Sequence, residues 1–185
     1  MTKLFSHTVA TIALMIALGQ STAAADSKGG VFDFGKFLPP TNDGQFVEVN
    51  INKTLISMIG KLAASEEPEV GKLINGLELI HVNVAEVSEE NREMTTQRIT
   101  ELHKQLDDLG WERIVTVREK RDQVAVYLKT QGDDAIEGIF VSVLDPNKEV
   151  VLVNIVGNIR PEQLGQIGQR LKIKPLEKVS EALGV

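Results

Sequence analysis

The stretch Glu149 to Gly168 runs from an apolar segment through Gly157 into Arg160-Pro161-Glu162. Strand, glycine and helix start, in that order, are the parts from which phosphate cradles are made. A dinucleotide cradle, however, needs several glycines at fixed spacing, so that backbone amides can approach a pyrophosphate. Gly157 is followed by Asn158 and Ile159, and the chain contains neither G-x-G-x-x-G nor G-x-x-x-x-G-K-[ST]. Pro161 at the first helical position would delete an amide that an anion needs, and Glu162 would add negative charge there. Gly157 and Pro161 are therefore read as a structural turn that starts a helix, with no nucleotide or other cofactor.

The remaining reactive side chains are sparse. Beyond the first 25 residues only His81 and His103 are histidines, without an HExxH pair, so no metal site is expected. His81 and Asn83 fall opposite Ile80, Val82 and Val84, which suits a polar or interface face, and His103 borders an apolar stripe. Glu66-Glu67-Pro68-Glu69 and Asp133-Asp134 read as solvated loop charge, lacking the ligand ladder of a dedicated calcium loop. Ser142 lies inside an apolar run without G-x-S-x-G, so its hydroxyl is expected to be structural. Trp111 and Tyr127 read as packing residues. With no cysteine, thiol catalysis, redox motifs and thiolate metal sites are excluded. No catalytic, cofactor-binding or metal residues are expected.

The N-terminus points to a compartment. Lys3 precedes the apolar run Val9 to Leu18, and Ala23-Ala24-Ala25 then precedes Asp26. A basic start, apolar middle and small-residue exit make a cleaved secretory signal. The apolar run is well short of the roughly 18 residues that span a bilayer. The expected mature chain begins at Asp26 and is periplasmic or secreted. With Lys3 gone, 19 basic residues face 26 acidic ones, a formal charge of −7. Such an acidic chain is a poor partner for nucleic acid or an anionic membrane surface.

Residues 26–45 hold Gly29-Gly30, Gly35, Pro39-Pro40 and Asn42-Asp43-Gly44, and read as a mobile leader. Its Val31, Phe32, Phe34 and Phe37 are expected to dock either on the domain or on a partner. A single domain then fills residues 46–172, with a short amphipathic segment (Leu176, Val179, Leu183) in the tail 173–185. Phe46 to Ile51 alternates as a strand. Asn52 caps a helix with Leu55, Ile56, Ile59 and Leu62 on one face, and Pro68 opens a second that Gly76 closes. Leu77 to Val87 is the next strand. Ser88 then caps the longest helix, with Asn91 in place of the glutamate of a capping box. Its buried stripe is expected to be Met94, Ile99, Leu102, Leu106 and Leu109, ended by Gly110.

Four strands follow at 111–119, 123–130, 136–144 and 149–156, joined by turns too short for anything but an antiparallel meander. The expected class is α+β: about six mostly antiparallel strands with helices packed on one face. Strand 136–144 is apolar at Ile136 and Phe140 on one side and at Ile139, Val141 and Val143 on the other. Strand 149–156 likewise sets Val151, Val153 and Ile155 against Val150, Leu152 and Val156. A sheet with one wet face alternates cleanly, so these two strands need cover on both sides. The leader, the C-terminal segment, a ligand or another subunit would supply it.

Gly110-Trp111-Glu112, Val124-x-Val126-Tyr127-Leu128-Lys129, Ile136 to Val143, and Val150 to Gly157 followed by x-Ile159 together carry a resemblance. Over about residues 46–171 the chain resembles the bacterial exported family known as domain of unknown function 4252. The resemblance implies a bacterial, periplasmic setting that suits a binding or regulatory role. It supplies no catalytic residues to carry over. The functional expectation is a non-enzymatic module that binds a protein partner, or itself as a homodimer, on an apolar sheet face. Ile139, Val141, Val151, Val153 and Ile155 are the candidate interface. The alternative is a carrier of a small apolar ligand or lipid in a cleft between sheet and helices, and an enzyme ranks third.

Overall fold

The computed structural model describes residues 29–34, 45–119, 122–132, 135–160 and 163. Six strands and three helices follow one another as β1 (Phe46–Asn52), α1 (Lys53–Glu66), α2 (Pro68–Gly76), β2 (Leu77–Glu86), α3 (Arg92–Asp108), β3 (Glu112–Glu119), β4 (Asp122–Gln131), β5 (Ala135–Asp145) and β6 (Glu149–Ile159). They build one sheet in the order β1-β2-β6-β5-β4-β3, with every pairing antiparallel. Helix α3 carries the chain from β2 to the far edge, and the meander β3 to β6 brings it back beside β2. The class is α+β, as expected.

The local signals act as their chemistry requires. The Asn52 side chain accepts a hydrogen bond from the Leu55 amide and starts α1, and Pro68 opens α2. Before α3, the Ser88 amide donates to Asn91 Oδ1 (2.9 Å) and the Asn91 amide to Ser88 Oγ (3.4 Å). Asn91 thus completes the reciprocal box that a glutamate usually closes, and α3 proper begins one turn later than Ser88.

The helices, expected on one face, are shared between two. Helix α3 sets Ile99, Leu102 and Leu106 against Ala85, Val150, Leu152, Phe140, Leu144, Ala125 and Tyr127. Helices α1 and α2 set Ile56 and Leu73 in a second core with Ile139, Val141, Val153, Ile155, Val126 and Leu128 on the opposite face. This is why the central strands are apolar on both sides. Two expected core positions move outward: Met94 is exposed and Leu109 only half-buried, while Thr95 is buried in the first turn of α3. Ile136 does not share the face of Phe140. A register shift between Ile136 and Gly138 interrupts the alternation of β5, and Ile136 joins Ile139 and Val141.

Residues Gly30 to Phe34 also cover the α3 face. Buried Asn154 accepts from the Phe32 amide at 2.9 Å and donates to the Gly30 and Ile139 carbonyls. Phe32 packs edge-on to Trp111 and Phe140, and Phe34 stacks on His81 with ring centroids 4.4 Å apart. Of the two docking options for the leader phenylalanines, Phe32 and Phe34 take the domain itself; Phe37 lies outside the described residues.

Candidate functional site

Gly157 is not in a turn. It lies within β6, which runs on to Ile159, and its φ is unexceptional. The backbone at the end of α2 crosses directly over it: a Cβ there would meet the Gly76 carbonyl oxygen and lie 2.7 Å from Leu77 Cα. The glycine is a crossing point between helix end and strand. Pro161, the other half of the expected turn, lies outside the described residues. Among the described residues, a hollow of about 190 Å³ beside Gly157 is lined by Glu78 and Glu137 together with Gly29, Gln131 and Asn158, and by no lysine or arginine. Phosphate would be repelled there. The Arg160 amide, at the expected helix start, is bonded to Gln163 Oε1.

The one serine–histidine pairing among the described residues joins α3 to β5. His103 Nε2 and Ser142 Oγ share a hydrogen bond of 2.7 Å, and His103 also lies beside the Tyr127 ring. Burial and the neighbouring Arg113 guanidinium push the imidazole down to about 4, so it is neutral at physiological pH. Burial likewise pushes the Tyr127 phenol up to about 12. Arg113 lies over the Tyr127 ring and pairs with Asp107 at 2.9 Å. Serine, histidine and a nearby aspartate are the ingredients of nucleophilic catalysis. Yet Ser142 is 2 % exposed and sits in the sheet under α3, where no substrate carbonyl can reach it. The pair is a clamp between helix and sheet. Its partner histidine was invisible in sequence because 39 residues separate the two.

The other candidates have ordinary roles. His81 and Asn83 are buried on the α3 side and form no open face; His81 donates to Glu48 Oε1 at 3.0 Å while carrying Phe34. In the Glu66 to Glu69 cluster, Glu69 pairs with Lys72, whose hydrogen bond and charge lower the Glu69 pKa. Asp133 and Asp134 lie outside the described residues. Among the described residues no group of three histidines or acids could hold a metal ion, and no helix is long and apolar enough to cross a membrane.

The apolar candidates do come together. Val151, Val153 and Ile155 share one face with Ile139 and Val141, and the registers extend them into rows across the sheet. One row is Val47, Val84, Val151, Val143, Val124 and Val117; the next is Val49, Val82, Val153, Val141, Val126 and Val115. Ile139, Val141, Val153 and Ile155 are buried, whereas Val151 is half-buried. At the β1 end the rows open to solvent, with Val47 51 % and Val49 40 % exposed.

Helix α1 packs on the same face and has exposed apolar residues of its own. Of the face expected to pack, Leu55, Ile56, Ile59 and Leu62, Ile56 is buried while Leu55, Ile59 and Leu62 are exposed, Leu62 by 73 %; Met58 is exposed beside them by 60 %. Only Ile56 and Gly60 are buried. The helix packs through its small residues: Gly60 lies against Asn75, and Ala64 against Gly71 of α2. The sequence carried this signal. Gly60, Ala63 and Ala64 mark a close helix–helix contact on one side, leaving the large residues at 55, 58, 59 and 62 to form a second, outward stripe.

No curated protein and no solved structure matches the chain. A family model described as domain of unknown function (DUF4252) matches residues 41–167, which span all six strands and three helices. The chain belongs to that family.

Proposed function

We propose that this chain is an exported, non-enzymatic module that associates with a protein partner, or with itself, through the apolar face of its sheet and the outer stripe of α1. One observation carries this reading. Leu55, Met58, Ile59 and Leu62 of α1 and Val47 and Val49 of β1 are all exposed, on the one sheet face where Val151 is half-buried. An apolar surface assembled in one place marks an interaction site, whereas singly scattered apolar residues need no explanation. A contact at this surface recovers about 25 cal/mol for each Å² of apolar area removed from water. The hollow at the β1 end, about 380 Å³, is rimmed by Glu86, Lys148 and Glu149, which favours surface association over carriage of an apolar ligand.

The paired variants Met58→Glu and Val151→Glu test the reading against Leu152→Glu. Leu152 is fully buried under α3, so its replacement by glutamate should unfold the protein. The first two sites retain solvent contact, and their variants should keep the native circular dichroism while losing the oligomeric mass or cross-linked partner of the parent protein. A parent with neither, or variants that retain both, would overturn the proposal. The exported setting rests on the order Lys3, Val9 to Leu18, Ala23-Ala24-Ala25. Amino-terminal sequencing of cell-derived protein should begin at Asp26.

A further inference from the structure

The two edges of the sheet are unlike. Strand β3 carries Glu112, Arg113 and Arg118 and a register shift between Arg113 and Val115, the devices by which an edge resists pairing with another chain. Strand β1 has neither a cation nor a register shift. Its sequence FVEVNIN holds no lysine, arginine or proline, and it pairs with β2 without a bulge. Residues 47 to 50 are all exposed, so no described element covers the edge. Its only charge, Glu48, is engaged by His81 on the neighbouring strand. An open, flat edge with apolar side chains is a template for strand addition.

We infer that β1 pairs antiparallel with β1 of a second copy, about a two-fold axis at Val49. The inference rests on the association reading above and names its partner. Side-chain parity and charge select the register. Centred on Val49, all seven residues of the strand overlap: Val49 faces Val49 of the partner copy, Val47 faces Ile51, and Glu48 faces Asn50. A centre at Glu48 would set two carboxylates directly opposite each other, which is destabilising. A centre at Asn50 would leave Val47 without a cross-strand neighbour. The chosen register therefore pairs every apolar residue of the edge and opposes no like charges. It joins two six-stranded sheets into one, and the valine rows continue across the axis with both α1 helices on the same face. A self-complementary strand contacting itself is the isologous contact a two-fold dimer requires.

The chain has no cysteine, so single introduced thiols report the register directly. Under mild oxidation Val49→Cys should convert nearly all of the protein to a disulfide-linked dimer. Val47→Cys should not cross-link, because its two copies would be separated by four residues along the strand, roughly 13 Å, beyond disulfide reach. Val49→Lys should give the monomer mass by sedimentation equilibrium, where the parent protein gives the dimer. Circular dichroism checks that each variant is folded. Equal cross-linking at both positions, cross-linking at neither, or a monomeric parent would overturn the pairing. A monomeric parent whose cross-linked protein partner is lost in Met58→Glu would sink the self-pairing alone and leave the broader reading standing.

Discussion

At Gly157 the side chain that is missing matters more than any that is present. Because the atoms over it are the backbone of Gly76 and Leu77, they cannot swing aside as a flexible side chain would. Gly157→Val should cost about 1–3 kcal/mol through overpacking, read as a lower urea midpoint with an unchanged slope. An unchanged midpoint would show that the crossing is looser than this geometry. His103 offers the pH-dependent counterpart. Its imidazole titrates near 4 in the folded chain and near 6.5 once unfolded. Between those values the unfolded chain binds more protons, so stability falls as pH drops from 6.5 toward 4 and the contribution is complete above 6.5. His103→Gln keeps a hydrogen-bonding group for Ser142 and removes the titration. The acid sensitivity of unfolding in that window should shrink, and NMR titration of the parent should show His103 mostly neutral until the pH approaches 4. The need for glycine at 157 was legible in sequence; its cause was not. A crossing backbone 80 residues away leaves no local pattern, and neither does a histidine that reaches its serine only across the helix–sheet gap.

Among the elements, those with strong local chemistry were legible: the Asn52 cap, the proline start of α2, and the tight turns that force the meander. What a single element cannot state is which of its faces is packed. In α1 an apolar stripe of ordinary helical period faces water, because close contact with α2 uses glycine and alanine instead. In β5 a register shift changes the side to which Ile136 belongs. The segment Gly30 to Phe34 shows the same limit, since glycine-rich composition hid a docked arm. Gly30 fits against Glu137 and Gly138 so closely that a Cβ would lie 2.6 Å from the Gly138 amide nitrogen, and its positive φ adds to the demand for glycine. Gly30→Ala, or Asn154→Leu with the loss of three hydrogen bonds, should release the arm. Trp111 is the only tryptophan and packs edge-on to Phe32, so release should shift its fluorescence to the red. Proteolysis ahead of Phe46 should accelerate in parallel. Unchanged emission in both variants would mean that the arm does not need these contacts.

For the whole molecule, the two-sided sheet is the fact from which the rest follows. Each face carries its own core, yet the helices of the second face leave the β1 end uncovered. Paired apolar strands announced the two covers in sequence, while the uncovered corner depends on where α1 docks. Charge then decides how association there should respond to solution conditions. The chain carries a formal charge of −6 at pH 7, or −7 without its first 25 residues, so two copies repel one another at long range. The proposed contact has no ion pair across it: Glu48 faces an asparagine, and the remaining opposed side chains are apolar or uncharged. Salt should therefore screen repulsion without weakening any attraction, since the Debye length shortens from about 30 Å at 0.01 M to about 8 Å at 0.15 M. Sulfate should strengthen the contact further, because excluded salts favour apolar burial. The dimer dissociation constant, followed by sedimentation equilibrium, should fall as sodium chloride is raised and fall again in sulfate. A constant that rises with salt would mean that ion pairs hold the copies together, and would place the contact away from the β1 edge and the valine rows.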